Sequence, residues 1–150
     1  MTKDGGWWLR ALLISVSDLD RSVEFYTDVC GVQEIVRESD CSLLGVETTE
    51  SPSLALREVP RDGVRGGQQT LGLRACSFYL ASGAELDRVE ERLTARSAFQ
   101  DRQQHGEGGR VQLVRGHDPD RLPLAFMSYE PPLSSDEYRG VLSLIYSWDL

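Results

Sequence analysis

The pattern of apolar positions is clearest from Arg10 to Gly31, where a period of two residues gives way to a helical period. Along residues 11–16 the side chains alternate between two sets, which predicts a strand with two different faces. The sets are Leu12, Ile14 and Val16 on one face and Ala11, Leu13 and Ser15 on the other. Apolar residues then recur at helical spacing, at Leu19, Val23, Tyr26 and Val29. Ser17 and Asp18 can cap this helix and Gly31 can end it, so we expect the first strand face to pack on the helix and the second to stay free.

Shorter alternating runs predict the rest of the first half. We expect strands at residues 32–38, 42–47 and 53–59, with a turn around Ser39 and Asp40 and with Pro60 ending the last strand. Residues 61–69 are polar and rich in glycine, which predicts a linker. The first half is therefore a strand, a helix and three strands.

The second half repeats this order. A strand is predicted at residues 73–80, with Cys76, Phe78 and Leu80 on one face and Ala75, Ser77 and Tyr79 on the other. Ser82 and Glu85 form a capping-box pattern, and Leu86, Val89 and Leu93 give the following helix its apolar stripe. Further strands are expected at 99–104, 110–115 and 124–129, with a flexible glycine hairpin loop at 106–109.

The fold class that follows is α+β, with two βαβββ modules. The modules are residues 9–60 and 71–131, in a single domain spanning residues 1–150 with a C-terminal tail at 132–150. Val141, Leu142, Ile145 and Tyr146 recur at helical spacing in that tail, so its apolar stripe needs a partner surface.

Composition narrows the classes of partner. The chain of 150 residues has a formal net charge of −8 and one lysine, Lys3, which argues against binding nucleic acid or an anionic membrane surface. No apolar run is long enough for a membrane span and no secretion signal is visible, so a cytoplasmic protein is expected. Cys30, Cys41 and Cys76 show neither metal nor redox spacing and are expected to be buried free thiols.

Two segments carry a family resemblance inside this duplicated pattern. The sequence VSDLDRSVEFYTDVCG at 16–31 is similar to the first strand-to-helix junction of the vicinal oxygen chelate superfamily, which includes glyoxalase I, extradiol dioxygenases and bleomycin-resistance proteins. The sequence DPDRLPLAF at 118–126 resembles the turn and strand that close the second module there. The resemblance covers roughly residues 9–131 and implies the same duplicated α+β fold, in which mixed sheets curl around a shared concave cavity.

The resemblance also identifies where metal-dependent members place their ligands, histidine on the first strand of each module and glutamate on the last. These positions hold Ala11, Ala55, Ala75 and Ala125, none of which can bind a metal. We therefore expect no metal and no cofactor at the family site. A metal site built from His117, Asp118 and Asp120 is the alternative, although solvated turn residues are the simpler interpretation.

Strand alternation assigns a second set of residues to the concave side, and these are the candidate ligand-binding residues. They are Leu13, Ser15, Arg57, Ser77, Tyr79, Met127 and Tyr129. With the small alanines beside them they suit a flat organic ligand, and Arg57 could pair with a carboxylate or phenolate on it. The competing interpretation is that the same residues fill a small core.

The function favoured by these residues is metal-free binding or sequestration of an aromatic or polycyclic molecule. The alternatives are an enzyme of the same superfamily, of dioxygenase, lyase or isomerase type, and a structural or regulatory protein. Such an enzyme would use displaced metal ligands, or would work without metal through Tyr79, Tyr129 and Arg57.

A homodimer is expected as well. Trp7 and Trp8 and the stripe of Val141, Leu142 and Ile145 would form its contact, because aromatic and apolar residues are enriched in the cores of interfaces. The competing interpretation is that the tail folds back on its own chain.

Overall fold

A strand, a helix and three strands follow one another twice along the chain in the computed structural model, which describes residues 11–46, 53–60 and 75–146. The contacts divide the chain into two units, here called modules, between Gly63 and Val64. The first module contains β1 (Ala11–Val16), α1 (Leu19–Cys30), β2 (Gln33–Arg37), β3 (Cys41–Gly45) and β4 (Ser53–Glu58). The second contains β5 (Cys76–Tyr79), α2 (Gly83–Ala95), β6 (Phe99–His105), β7 (Val111–His117), β8 (Pro123–Ser128) and α3 (Ser135–Tyr146).

The two sheets have the same topology. Their strand orders are β1-β4-β3-β2 and β5-β8-β7-β6. In each sheet the first strand pairs in parallel with the last, and the other neighbours are antiparallel. Each sheet also has a register shift in its second strand, between Glu34 and Val36 and between Phe99 and Asp101. The α+β class and the duplicated βαβββ order predicted from the sequence are confirmed, with open mixed sheets.

The helix ends follow the sequence signals. The Asp18 carboxylate accepts a hydrogen bond from the Arg21 amide at 3.0 Å, and Gly31 ends α1 with a φ of 68°. The Ser82 hydroxyl accepts from the Glu85 amide at the start of α2, as the capping-box pattern predicts. One further contact was not predicted: the Glu58 carboxylate, at the end of β4, accepts from the Leu19 amide at 2.7 Å. This places Glu58 at the positive end of α1.

Each sheet buries one face on the helix of its own module. In the first module Ile14, Val16 and Leu56 are buried on the α1 side together with Phe25 and Tyr26 of the helix. This is the strand face predicted to pack on the helix, because side chains alternate across a strand. In the second module Leu86, Val89 and Leu93 of α2 are fully or almost fully buried, and Phe78 stacks on Phe126 with ring centroids 5.1 Å apart.

Strand ends differ from the sequence prediction by at most two residues where both are described. The predicted start of β5, at residue 73, lies outside the described residues, as do Trp7 and Trp8. The glycine hairpin loop contains a turn of 3₁₀ helix, Glu107–Gly109, and is not wholly irregular. Gly109, with a φ of 67°, lies close against the Gln104 side chain, which leaves no room for a Cβ.

The three cysteines are free in this structure. Cys30 and Cys41 are half-buried, and Cys76 is buried on the α2 side of β5. Burial raises the pKa of the Cys76 thiol to about 11. At neutral pH that thiol is protonated, which suits a packing role.

The C-terminal helix α3 packs on the second sheet, on the face opposite α2. Val141 is 3% exposed and belongs to a cluster with Val111, Leu113, Ala125 and Met127 of the sheet. The tail thus folds back on its own module, so Val141 is not available for the predicted dimer contact. The homodimer itself stays a prediction.

Polar contacts hold the start of α3. At its start the Ser134 hydroxyl accepts from the Glu137 amide, and the Glu137 carboxylate accepts from the Ser134 amide. Arg110 donates to the carbonyl oxygens of Glu130 and Pro132 and lies 3.5 Å from the Glu137 carboxylate.

None of the described helices is long and apolar enough to cross a membrane.

We expect Ser22→Ala to raise the free energy of unfolding by about 1 kcal/mol. Ser22 is 1% exposed, and its hydroxyl has no hydrogen-bond partner among the described residues. The matched control is Ser42→Ala, since the equally buried Ser42 hydroxyl bonds Glu34 at 2.7 Å and the Val36 carbonyl at 3.4 Å. This control should lose stability by a similar amount, about 1 kcal/mol. Denaturant unfolding measures the free energy change for both variants. Changes of the same sign would contradict the view that the Ser22 hydroxyl is unpartnered and the Ser42 hydroxyl is hydrogen-bonded.

Gly140→Ala should lower the free energy of unfolding by about 1 to 3 kcal/mol, although alanine favours helix. A Cβ at Gly140 would overlap the His105 ring, so either that ring or α3 would have to move. The control, Gly83→Ala in α2, meets open space and should be neutral or stabilising. If the His105 contact is the cause, His105→Ala should restore most of the stability lost by Gly140→Ala. A Gly140→Ala protein as stable as wild type would show that α3 is not held this closely.

Candidate functional site

The face of the first sheet that turns away from α1 is open. Ala11, Leu13 and Ser15 of β1 are exposed, and 62% of the Leu13 surface is accessible. The neighbouring strand β4 continues this face, because Leu13 pairs in register with Ala55 and Ser15 with Arg57. The prediction that one face of β1 stays clear of its helix is confirmed.

Four apolar side chains cross this open face from one edge of the sheet to the other. They form what we call the apolar row, Leu13, Ala55, Leu43 and Val36, in which each residue is the register partner of the next. Adjacent strands are about 4.8 Å apart, so the apolar row is about 14 Å long. A strip of this length can support a flat ring system of several fused rings.

A polar row lies beside the apolar row, one pleat repeat along the strands. Ser15 and Cys41 both pair in register with Arg57, and Glu38 follows at the edge, where its amide donates to the Cys41 carbonyl. Asp40, in the β2–β3 turn, forms an ion pair with Arg57, with Nε and Oδ2 3.4 Å apart. Both side chains of this pair are more than half exposed.

The two rows form most of a partly open cavity of about 490 Å³, within the range of small-molecule sites. Its described lining residues are Leu13, Val36, Glu38, Asp40, Cys41, Ser42, Leu43, Ala55 and Arg57. Leu13 and Arg57 were predicted ligand-binding residues, and Ser15 adjoins them. The residues of β2 and β3 were missed, although alternation of Cys41 and Leu43 with the buried Ser42 and Leu44 could have assigned β3 to this face.

The corresponding face of the second sheet is largely covered. Ser77 and Tyr79 of β5 are exposed, but Ala125 is fully buried and Met127 is 8% exposed beneath α3. Tyr129, half-buried, packs against the same cluster. The space that small side chains were expected to leave beside Ala125 is filled by the protein's own C-terminal helix.

Tyr79 and Tyr129 lie together, with ring centroids 4.9 Å apart. The Tyr79 hydroxyl donates to the Tyr129 carbonyl at 3.1 Å. This hydroxyl is therefore engaged with the backbone in the described structure. It would have to leave that contact in order to act on a substrate.

An ion pair lies on this covered face at the place that corresponds to the apolar row. From the register, the row in the second sheet is Ser77, Ala125, Arg115 and Asp101. Arg115, with its side chain 8% exposed, donates to Asp101 and also to the Leu144 carbonyl of α3 at 3.1 Å. The Arg115 hydrogen bonds hold the pKa of Asp101 below its usual value.

The four family metal positions carry methyl groups in a range of environments. Ala11 is exposed, Ala55 and Ala75 are half-buried, and Ala125 is fully buried. Since a methyl group has no lone pair, these residues do not fit a metal of the family type. Glu58 does not substitute for them, because its carboxylate bonds the start of α1 on the other side of the sheet.

The alternative metal site is organised as a turn. Asp118 is 1% exposed, and its Oδ1 accepts from the amides of Asp120 and Leu122, both at 2.8 Å. His117 contacts the Asp118 carbonyl through Nδ1. A carboxylate that binds two backbone amides in this way stabilises the turn before β8. Across residues 11–46, 53–60 and 75–146, the structure contains no group of three or more histidine, cysteine or acidic side chains able to hold a metal ion.

We expect Asp101→Asn to lower the free energy of unfolding by about 1 to 2 kcal/mol at neutral pH, because the buried Arg115 loses its counter-charge. The folded pKa of Asp101 is depressed, so its contribution is present above the ordinary value of 3.8 and is lost as pH falls below that value. The difference in free energy of unfolding between wild type and variant should therefore become smaller in acid. Denaturant unfolding across pH measures it.

Asp87→Asn is the control for this experiment, since Asp87 pairs with Arg102 but is 61% exposed. Its effect should be smaller at every pH. A stability difference for Asp101→Asn that stays constant into acid would contradict the depressed pKa.

The fold is shared with solved structures of one superfamily. A glyoxylase/bleomycin resistance protein/dioxygenase domain from Frankia sp. EAN1pec is 26% identical, with a TM-score of 0.67 over 84% of this chain and 100% of that chain. A lactoylglutathione lyase from Agrobacterium tumefaciens is 18% identical, with a TM-score of 0.61 over 83% of this chain and 95% of that chain. TioX from Micromonospora sp. ML1 is 16% identical, with a TM-score of 0.60 over 83% of this chain and 100% of that chain.

No family model and no curated protein matches the sequence, so the relationship is visible mainly in three dimensions. The matches span more than four fifths of the chain and agree with the duplicated module and with the two motifs that first suggested the family. The fold of the chain is the one these proteins share, and the likeness to the Frankia domain supports the vicinal oxygen chelate superfamily.

Proposed function

We propose that this protein binds or sequesters a small, flat aromatic or polycyclic molecule without a metal, on the open face of the first sheet. The observation that carries the proposal is the apolar row, which lies along the floor of a cavity of about 490 Å³ and has Leu13 and Val36 exposed at its two ends. An exposed strip of aligned apolar side chains costs solubility, and an apolar ligand lying on it would remove that surface from water.

Ligand-binding residues in this proposal come from the first module. Leu13 and Ala55 form the floor with Leu43 and Val36, while Ser15 and Arg57 supply polar groups at its side. The predicted residues of the second module contribute less in this arrangement. Met127 lies beneath α3, and Tyr79 and Tyr129 contact each other.

Absence of metal chemistry is part of the proposal. Its support is the identity of Ala11, Ala55, Ala75 and Ala125, whose side chains offer no donor atom. The alternative is an enzyme of the same superfamily with displaced ligands. Elemental analysis of the purified protein and turnover assays with and without a chelator separate the two, because a stoichiometric metal or chelator-sensitive turnover would refute metal-free binding.

The proposal predicts that Leu13→Ser weakens the binding of neutral aromatic compounds by about tenfold, the effect of losing roughly 1.4 kcal/mol of apolar contact. A thermal-shift panel would identify binders, because a ligand of the folded state raises the melting temperature. Calorimetry on wild type and variant would then measure the affinities.

Ile35→Ser is the matched control. Ile35 is 50% exposed, also apolar and also in the first sheet, but it is not among the residues that line the cavity. Its replacement should leave affinity unchanged. Equal losses for both variants would indicate non-specific surface binding, and a broad panel without any shift would refute the proposed function.

A further inference from the structure

The charged groups of the cavity in the first module are unevenly balanced. Its described lining includes two carboxylates, Glu38 and Asp40, and one guanidinium, Arg57. Arg57 already forms an ion pair with Asp40, at 3.4 Å. The polar row therefore has an excess of negative charge, which belongs to Glu38.

Arg37, the described basic residue next to Glu38, is engaged on the opposite side of the sheet. Arg37 is adjacent to Glu38 in sequence, but it forms ion pairs with Asp20 of α1 and with Glu34, the latter at 2.9 Å. Because successive strand residues point to opposite faces, Arg37 faces α1 when Val36 and Glu38 line the cavity. It therefore does not neutralise the Glu38 carboxylate at close range.

Backbone hydrogen bonds fix the main chain at both acidic residues. The Glu38 amide donates to the Cys41 carbonyl at 2.8 Å, which closes the β2–β3 turn. The Glu58 amide donates to the Asp40 carbonyl at 2.7 Å, which ties the same turn to the end of β4. Because the main chain of the turn is already fixed, binding a ligand would require ordering only of the two side chains.

We propose that this site selects ligands in which a flat apolar body carries a cationic group, such as a protonated amine. The apolar body would lie along the apolar row, and the cation would lie against Glu38 and Asp40. This inference rests on the proposed function and specifies its ligand class. An anionic ligand would have to draw Arg57 away from Asp40 and would then lie beside two carboxylates.

The spacing of the two rows fits such a molecule. Leu13 and Ser15 are two residues apart on one strand, so the apolar and polar rows are separated by about 7 Å. An amine joined by one or two methylenes to a ring system on the apolar row would extend towards the polar row and its carboxylates.

Three probes with the same ring test the inference on the full chain: naphthylmethylamine, naphthylmethanol and naphthylacetate, each titrated by calorimetry. The neutral alcohol reports on the apolar row alone. We expect the amine to bind about fivefold or more tighter than the acid, with the alcohol between them, since exposed ion pairs contribute up to about 1 kcal/mol each. High salt should reduce the difference, because the carboxylates are near the surface.

Variants that remove one carboxylate each test whether Glu38 and Asp40 cause the preference for the amine. Glu38→Gln and Asp40→Asn should each weaken amine binding by about twofold to fivefold and leave alcohol binding unchanged. Glu24→Gln is the control, because it removes the same charge from the exposed face of α1, on the other side of the sheet. It should leave all three affinities as they are.

The outcomes distinguish the two proposals. If none of the three probes binds, the proposed function fails. If the alcohol binds and the acid binds as well as the amine or better, the site exists and the charge preference is wrong, with Arg57 as the partner of an anion. A preference for the amine that persists unchanged in Glu38→Gln and Asp40→Asn would also overturn the inference. Unchanged alcohol binding shows that each variant is folded.

Discussion

A four-stranded sheet has two faces, and one helix can cover only one of them. Both modules of this protein meet that constraint in the same way on the helix side, where α1 and α2 bury the larger apolar side chains. They differ on the other face. The first sheet leaves it open above the apolar row, whereas the second covers it with α3. The position of the candidate site is a consequence of this difference, because only an uncovered face can receive a ligand.

The register shows how far the duplicated modules have diverged. The shift at Glu34 and Val36 recurs at Phe99 and Asp101, so equivalent positions can be matched strand by strand. At the row that contains Ala55 in one sheet and Ala125 in the other, the first module has apolar side chains and the second has the ion pair of Arg115 with Asp101. The same backbone position therefore supports an apolar floor in one module and a charged contact to a covering helix in the other.

Much of the fold was predictable because local rules agree with each other here. The alternation of residues 11–16, the caps at Asp18 and Ser82 and the glycine at position 31 all predicted what the structure shows. The candidate site was predictable only in part. Leu13 and Arg57 came from strand alternation, but Val36 depended on a register shift, which no period reveals. The burial of Met127 beneath α3 was not predictable, because it depends on a tertiary contact. An apolar stripe indicates that a helix packs against another surface, but it does not indicate which surface.

Gly140 lets α3 lie close to the second sheet. A glycine inside a helix ordinarily costs about 1 kcal/mol relative to alanine, so its presence in the middle of α3 points to a close approach. The His105 ring occupies the space where a Cβ would project. Leu144 follows four residues later, about one helical turn along, and so lies on the same face of α3. The absence of one side-chain carbon thus brings the helix main chain near the sheet, on the face where the Leu144 carbonyl accepts its hydrogen bond from Arg115.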